Sequence, residues 1–301
     1  MRAQAGKIIL SVAFCGIRAV TICRANHPQF RKKGSFCTAK AMVMNMRYLI
    51  SGSTDVGIKR ATNQDGLYVS RINASCGELA FACLCDGMGG LSEGEIASAT
   101  VVYAFKEWVN NGLKYLTWEK ELREAELRRI WSSMIADSNA RLYAYGKAKG
   151  ISLGTTLSAI LLTPRTYYAV NIGDSRIYRI GADIRRMTKD HTFIQREIDA
   201  GRMTPEEAQM SGKTHILTRC IGVQERAEPD FYTGATERGC VYMLCSDGFR
   251  HKITSEEILD SYAPQKMKNE EILKETGERL IECNKQRRET DNISVAAVLV
   301  R

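Results

Sequence analysis

Histidine is scarce in this chain of 301 residues, occurring only at positions 27, 191, 215 and 251. That argues against a His-rich metal site. The ten cysteines contain no C-x-x-C pair, which argues against zinc and disulfide frameworks and for a reducing cytoplasm. Cys83, Cys85, Cys240 and Cys245 lie in or beside apolar runs, where free thiols act as small hydrophobes. Residues 8–17 form an apolar run of ten, too short and too interrupted to span a bilayer. Gly52 to Arg60 lacks the Gly-Lys-Ser/Thr core of a nucleotide loop, and neither a G-x-S-x-G elbow nor an H-E-x-x-H motif occurs. There is no repeat at solenoid periods and no Pro/Gly/Ser-rich linker within residues 48–301, so that stretch reads as one domain.

Acidic residues are absent from residues 1–47, which hold nine Lys and Arg. The formal net charge of +9 belongs to that segment alone, because residues 48–301 balance 34 basic against 34 acidic groups. A basic tail on a neutral body argues against nucleic-acid binding by the domain. The tail has features of a signal or transit peptide. A disordered extension, or translated sequence upstream of the true start, is the favoured reading; Met42, Met44 and Met46 stand just before the domain.

Alternation and turn signals predict strands at 66–74 and 78–85, the second stopping at Asp86-Gly87. Strands at 155–162, 166–172 and 176–180 read as a β-meander, and Val241–Cys245 and Ile293–Val300 complete the set. Periodicity over 93–111 puts Ile96, Ala99, Val102, Tyr103, Phe105 and Val109 on one apolar helix face. Residues 117–149 form a second long helix, with Leu122, Leu127, Ile130, Met134 and Ile135 inward and its many Glu and Arg residues in solvent. Shorter helices are predicted at 193–200, 205–210, 255–261 and 269–283. The alternation is too irregular for a doubly wound parallel sheet, and short turns between strands favour an α+β class built on antiparallel sheets.

Where the aspartates sit carries the chemistry. Asp86, Asp174 and Asp247 each follow an apolar strand with a glycine beside them, and Asp291 precedes one. In an antiparallel sheet the end of one strand lies beside the start of its neighbour. The four carboxylates can therefore converge on one rim, and Asp65, just before strand 66–74, can join them. Five such groups repel one another without counter-charge. Hard divalent cations such as Mg2+ and Mn2+ supply it through oxygen ligands, and the glycines let a main-chain carbonyl approach. Taken singly, an Asp-Gly after a strand is better read as a turn; the combination carries the argument. His191, in a polar turn, reads as a helix-cap neighbour ahead of a catalytic group.

Eight short motifs, in order, then resemble the PPM family, the PP2C-type phosphatases, and its compact bacterial members. They are Arg60-Ala-Thr-Asn-Gln-Asp65, Asp86-Gly-Met-Gly-Gly90, Gly154-Thr-Thr156, Asn171-Ile-Gly-Asp-Ser-Arg176, Thr188-Lys-Asp-His-Thr192, Leu217-Thr-Arg-Cys-Ile-Gly222, Ser246-Asp-Gly-Phe249 and Asp291-Asn-Ile-Ser294. The resemblance covers about residues 48–301. It implies a central sandwich of two antiparallel β-sheets flanked by α-helices. It implies hydrolysis of phosphoserine and phosphothreonine in proteins, opposing Ser/Thr kinases, with two or three Mn2+ or Mg2+ ions. The implied partners are phosphorylated proteins, a Ser/Thr kinase among them, and the implied protein is a cytoplasmic monomer.

The resemblance also implies residue roles. Asp86 bridges two metals, with the Gly87 carbonyl on one of them. Asp247 and Asp291 complete the first metal site, Asp65 holds metal-bound water, and Asp174 with Asp247 forms a third, weaker site. Arg60 grips the phosphate, which suits a guanidinium that binds two oxygens at once. Residues 189–215 match a mobile flap. Two departures stand out. Gln64 occupies a place often held by Glu, and Met88 stands where eukaryotic relatives carry a histidine, the general acid. Water on the third metal is then the expected proton donor. Two rival readings stay open: a phosphatase of small phosphoesters, and a catalytically silent phosphoprotein-binding module.

Overall fold

The computed structural model describes residues 46–74, 77–89, 93–113, 123–212 and 216–301. The readings of residues 1–45 and of 117–122, Leu122 included, lie outside the described residues. Two antiparallel sheets make the frame. In the first, the order is β1 (Tyr48–Asp55), β11 (Ile293–Val300), β10 (Val241–Cys245), β7 (Arg176–Ile180) and β8 (Ile184–Arg186). In the second it is β2 (Asp65–Ala74), β3 (Gly77–Gly89), β5 (Leu157–Leu162), β6 (Thr166–Ile172) and β9 (Asp230–Ala235), with β4 (Leu153–Thr155) pairing the end of β3.

Side-chain alternation assembles the layers. Along β3, Leu79, Phe81, Cys83 and Cys85 point to one face and Ala80, Ala82 and Leu84 to the other, all fully buried. A strand covered on both faces reads as an unbroken apolar run, which is why this segment is so apolar. The first set packs under α1 (Glu93–Glu107) and α2 (Glu124–Lys149), where Phe81, Phe105, Trp108 and Trp131 form an aromatic cluster with centroids 5.7–6.4 Å apart. The second set meets Tyr242, Leu244, Ala296 and Val298 of the first sheet. That sheet's outer face is covered by α6 (Ser255–Ser261) and α7 (Glu270–Gln286). Between β8 and β9 the chain carries α3 (Phe193–Asp199) and α4 (Pro205–Met210), and α5 (Asp247–Arg250) follows β10. Thr204 and Thr254 close capping boxes with Glu207 and Glu257 at the starts of α4 and α6.

Several expectations change. The strand 78–85 does not stop at Asp86-Gly87: β3 continues to Gly89, because β4 provides new ladder partners from Gly87 onward. The strand 155–162 is two strands broken at Thr156, whose N–H donates to the Asp86 carbonyl at 2.9 Å. The meander does not hold, since β5 and β6 pair in the second sheet while β7 pairs with β10 in the first. The chain changes sheets at Gly173, whose φ of 100° suits glycine. On α1 the buried face is Gly94, Ala97, Ser98, Val101 and Phe105, with Ile96 and Tyr103 exposed. Small side chains line that face because the helix lies close to β3. The helix turns π-helical over Trp108–Gly112. β1, β8, β9 and α5 were not foreseen.

Candidate metal and phosphate site

The site forms where the two sheets end together. Asp65 is the first residue of β2 and faces Asp86 of β3 directly across the ladder. Thr156 fixes Asp86 from the other side, its hydroxyl accepting from the Asp86 N–H at 2.9 Å. Asp174 lies in the turn by which β6 crosses to β7. Asp247 opens α5 immediately after β10, and Asp291 stands just before β11. β10 and β11 are antiparallel neighbours with Cys245 opposite Val295, so Asp247 and Asp291 come out on the same end. Arg60, Asp86, Gly87, Met88, Asp174, Asp247 and Asp291 all line one cavity of about 1100 Å3. Asp65 is not among its lining residues; it stands behind Asp86.

The electrostatics follow from this crowding. Burial pushes the Asp86 carboxyl well above the usual range, and the charges of Asp65, Asp247, Asp174 and Asp291 push the same way. Asp65 is pushed up to about 7 by burial, partly offset by the Ser294 hydroxyl, which donates to its Oδ2 at 2.6 Å. Asp174 also rises to about 7, by burial and by Asp247, with Arg250 opposing. Arg250 donates to the Asp174 carbonyl at 3.1 Å and to its carboxylate at 3.2 Å. Arg60 donates to Asp291 Oδ2 at 2.9 Å. Among the described residues, no three His, Cys, Asp or Glu side chains are drawn into a compact ligand cluster. Arginines provide the nearest counter-charge to Asp174 and Asp291.

This donor set fits a divalent cation. All the side-chain donors are carboxylate oxygens, which Mg2+ and Mn2+ prefer. Asp65 Oδ1 is buried with no hydrogen-bond partner among the described residues, and such an atom is costly unless something binds it. Gly87 is packed so tightly that a Cβ would strike the Gly94 carbonyl oxygen and stand 2.5 Å from the Gln64 carbonyl oxygen. Only glycine therefore fits at 87, pressed against the main chain of Gly94 and Gln64, and Gly87 also lines the cavity.

Sequence comparison decides the family. The family model described as Protein phosphatase 2C matches residues 58–294. The chain belongs to the protein phosphatase 2C family. It is 32% identical over 254 residues to the protein phosphatase PhpP of Streptococcus pneumoniae, covering 83% of this chain and 96% of PhpP. The solved Streptococcus agalactiae serine/threonine phosphatase superposes with a TM-score of 0.72 at 28% identity, covering 85% of this chain and all of that one. The catalytic domain of the serine threonine protein phosphatase PstP, in complex with two manganese ions, superposes with a TM-score of 0.66 at 30% identity, covering 85% and 98%. This phosphatase is accordingly an enzyme of the serine/threonine protein phosphatase class, and its two-sheet sandwich is the family's fold.

The fold places Arg60, Asp86, Gly87, Asp174, Asp247 and Asp291 around one cavity, with Arg60 on Asp291, whereas Asp65 does not line it and faces Asp86 across the ladder. Sequence reasoning missed Arg250, Ser294 and Thr156 as partners of the carboxylates. Each belongs to or directly follows a motif, so adjacency was the available signal. The four cysteines assigned to apolar runs are buried free thiols, as expected. Among the described residues, no helix is long and apolar enough to cross a membrane.

Proposed function

We propose that this phosphatase hydrolyses phosphoserine and phosphothreonine in proteins with the help of bound Mn2+ or Mg2+, opposing Ser/Thr kinases in the cytoplasm. The observation that carries the reading is the placing of Asp86, Asp174, Asp247 and Asp291 around one cavity with Asp65 across the ladder from Asp86, where burial first, and the neighbouring carboxylates after it, raise Asp86 well above the usual range. Asp86, the Gly87 carbonyl, Asp247 and Asp291 would hold two ions, with Asp65 behind them and Asp174 beside Asp247. Such ions supply Lewis-acid charge to the phosphoryl group and make water nucleophilic near neutral pH.

The chain's own groups bind and orient. Arg60 is half exposed on the cavity wall, and its guanidinium can exchange the Asp291 carboxylate for two phosphoryl oxygens. Met88 lines the cavity and has no proton to give the leaving oxygen. Among the described residues no thiol is poised as a nucleophile: burial pushes Cys83 up to about 12 and raises Cys220, which lines this cavity. The reading takes water as the direct attacker, with no phospho-enzyme, because bound divalent ions would make water nucleophilic near neutral pH. Residues 1–47 take no part in this reading, and a monomer suffices for it.

Phosphate release from phosphoserine and phosphothreonine peptides, titrated with Mn2+ and with a chelator, tests the proposal. Chelator-sensitive turnover of both peptides is the expected result. Turnover of small phosphoesters alone would favour the small-substrate rival. Binding of phosphopeptides without release would favour the silent module.

A further inference from the structure

Two of the eight motifs, 188–192 and 217–222, contribute no residue to the metal reading, yet they meet at one buried group. His191 is 6% exposed. Its main-chain N–H donates to the Gly173 carbonyl at 2.9 Å, and its Nδ1 accepts from the Gly173 N–H at 3.2 Å. Because Nδ1 accepts, the ring proton sits on Nε2, which donates to Asp230 Oδ2 at 3.0 Å. Arg219 donates to the other oxygen of Asp230 at 3.1 Å. The preceding residue, Asp190, takes three hydrogen bonds from Arg176 at 2.6–3.2 Å. Residues 190 and 191 thus grip both sides of the turn Gly173-Asp174-Ser175-Arg176.

The turn has little other choice of shape. Gly173 has a φ of 100°, and a Cβ there would stand 2.5 Å from Thr156 Cγ2. The same His191 accepts at its carbonyl from the Thr218 N–H at 2.8 Å. Phe193 N–H donates to Ile216 at 2.8 Å. The two ends of the segment carrying α3 and α4 are therefore tied to each other and to the turn.

We propose that His191 is a positioning residue for Asp174: its Nδ1 fixes the Gly173 peptide, and Asp230 with Arg219 fixes the ring. This rests on the proposed role of Asp174 at the metal site. Asn at 191 can place an amide oxygen near the position of Nδ1, whereas Gln reaches toward Asp230 and leaves the Gly173 N–H without its acceptor.

The test is a double-mutant cycle in the full-length chain, combining His191→Gln with Asp174→Asn, with His191→Asn as the conservative variant. His191→Gln should lower kcat about tenfold with KM little changed, and should add almost nothing in the Asp174→Asn background, since residues acting through one another are not additive. His191→Asn should recover most of the activity. In metal-free protein, hydrogen exchange at the Gly173 amide should speed up in His191→Gln and not in His191→Asn. Should His191→Gln fail to fold, Asp230→Ala frees Nε2 while keeping Nδ1, and the cycle is repeated with it. Equal fold-losses in both backgrounds, with Asp174→Asn itself impaired, would overturn the coupling alone. An Asp174→Asn enzyme of normal kcat would overturn both this proposal and the assigned role of Asp174.

Discussion

Asp65 and Asp86 are register partners on adjacent antiparallel strands, so two carboxylates face each other across one rung of the β2–β3 ladder. Like charges directly opposite on a sheet are destabilising. Here Asp174, Asp247 and Asp291 add to the repulsion, and Ser294, Arg250 and Arg60 relieve only part of it.

Stability without metal should therefore fall as pH rises. Asp65 and Asp174 are both pushed up from 3.8 to about 7. Between those values the folded protein holds protons that the unfolded chain has released, so unfolding gains ground with rising pH. Melting in EDTA should drop by about 4 °C or more from pH 5 to pH 7.5, at roughly 2–4 °C per kcal/mol for a chain of this size. Saturating Mn2+ should remove most of that slope. A metal-free protein that is equally or more stable at pH 7.5 would contradict the account.

Gly87→Ala should cost more than about 2 kcal/mol and most of the activity, because the added methyl meets two main-chain oxygens rather than a yielding side chain. Denaturant unfolding and kcat measure the two effects. A stable, active Gly87→Ala enzyme would show that the close approach is dispensable.

Asp174→Asn should keep tight binding of two metals but lower kcat by about 10²–10³, the range of general acid–base effects. The loss should be larger for phosphoserine than for an activated aryl phosphate, whose leaving group needs little help from a proton. Equal losses on both substrates, with two metals still bound, would reject a part in leaving-group protonation.

Cys220→Ser should retain nearly full activity. Cys220 lines the cavity, but burial holds its thiol protonated, and a thiol must ionise to attack. Complete loss in a folded Cys220→Ser protein would reopen a thiol mechanism.

Much of this was legible in the chain. The boundaries of β6, β7, β10, β11, α4 and α6 follow from alternation, periodicity and turn signals. Pairing between sheets was not legible. The step from β6 to β7 is only Gly173-Asp174-Ser175, as short as a hairpin turn, yet it changes sheets. β1 was missed because Ser51, Gly52 and Ser53 interrupt its apolar pattern. β8 was missed because at three residues it is too short to show one. The carboxylates were found through the glycines and strand ends around them. Their arginine and hydroxyl partners were not, since such contacts join residues as far apart as Arg250 and Asp174 and leave no periodic trace.

Calorimetric titration of Mn2+ into the full-length protein and into Asp86→Ala tests the central claim most directly. Under the proposal Asp86 would hold both ions, so the wild-type protein should take up two ions tightly and Asp86→Ala should lose that uptake together with phosphatase activity, while keeping its fold. Undiminished two-ion binding by a folded Asp86→Ala protein would contradict the account.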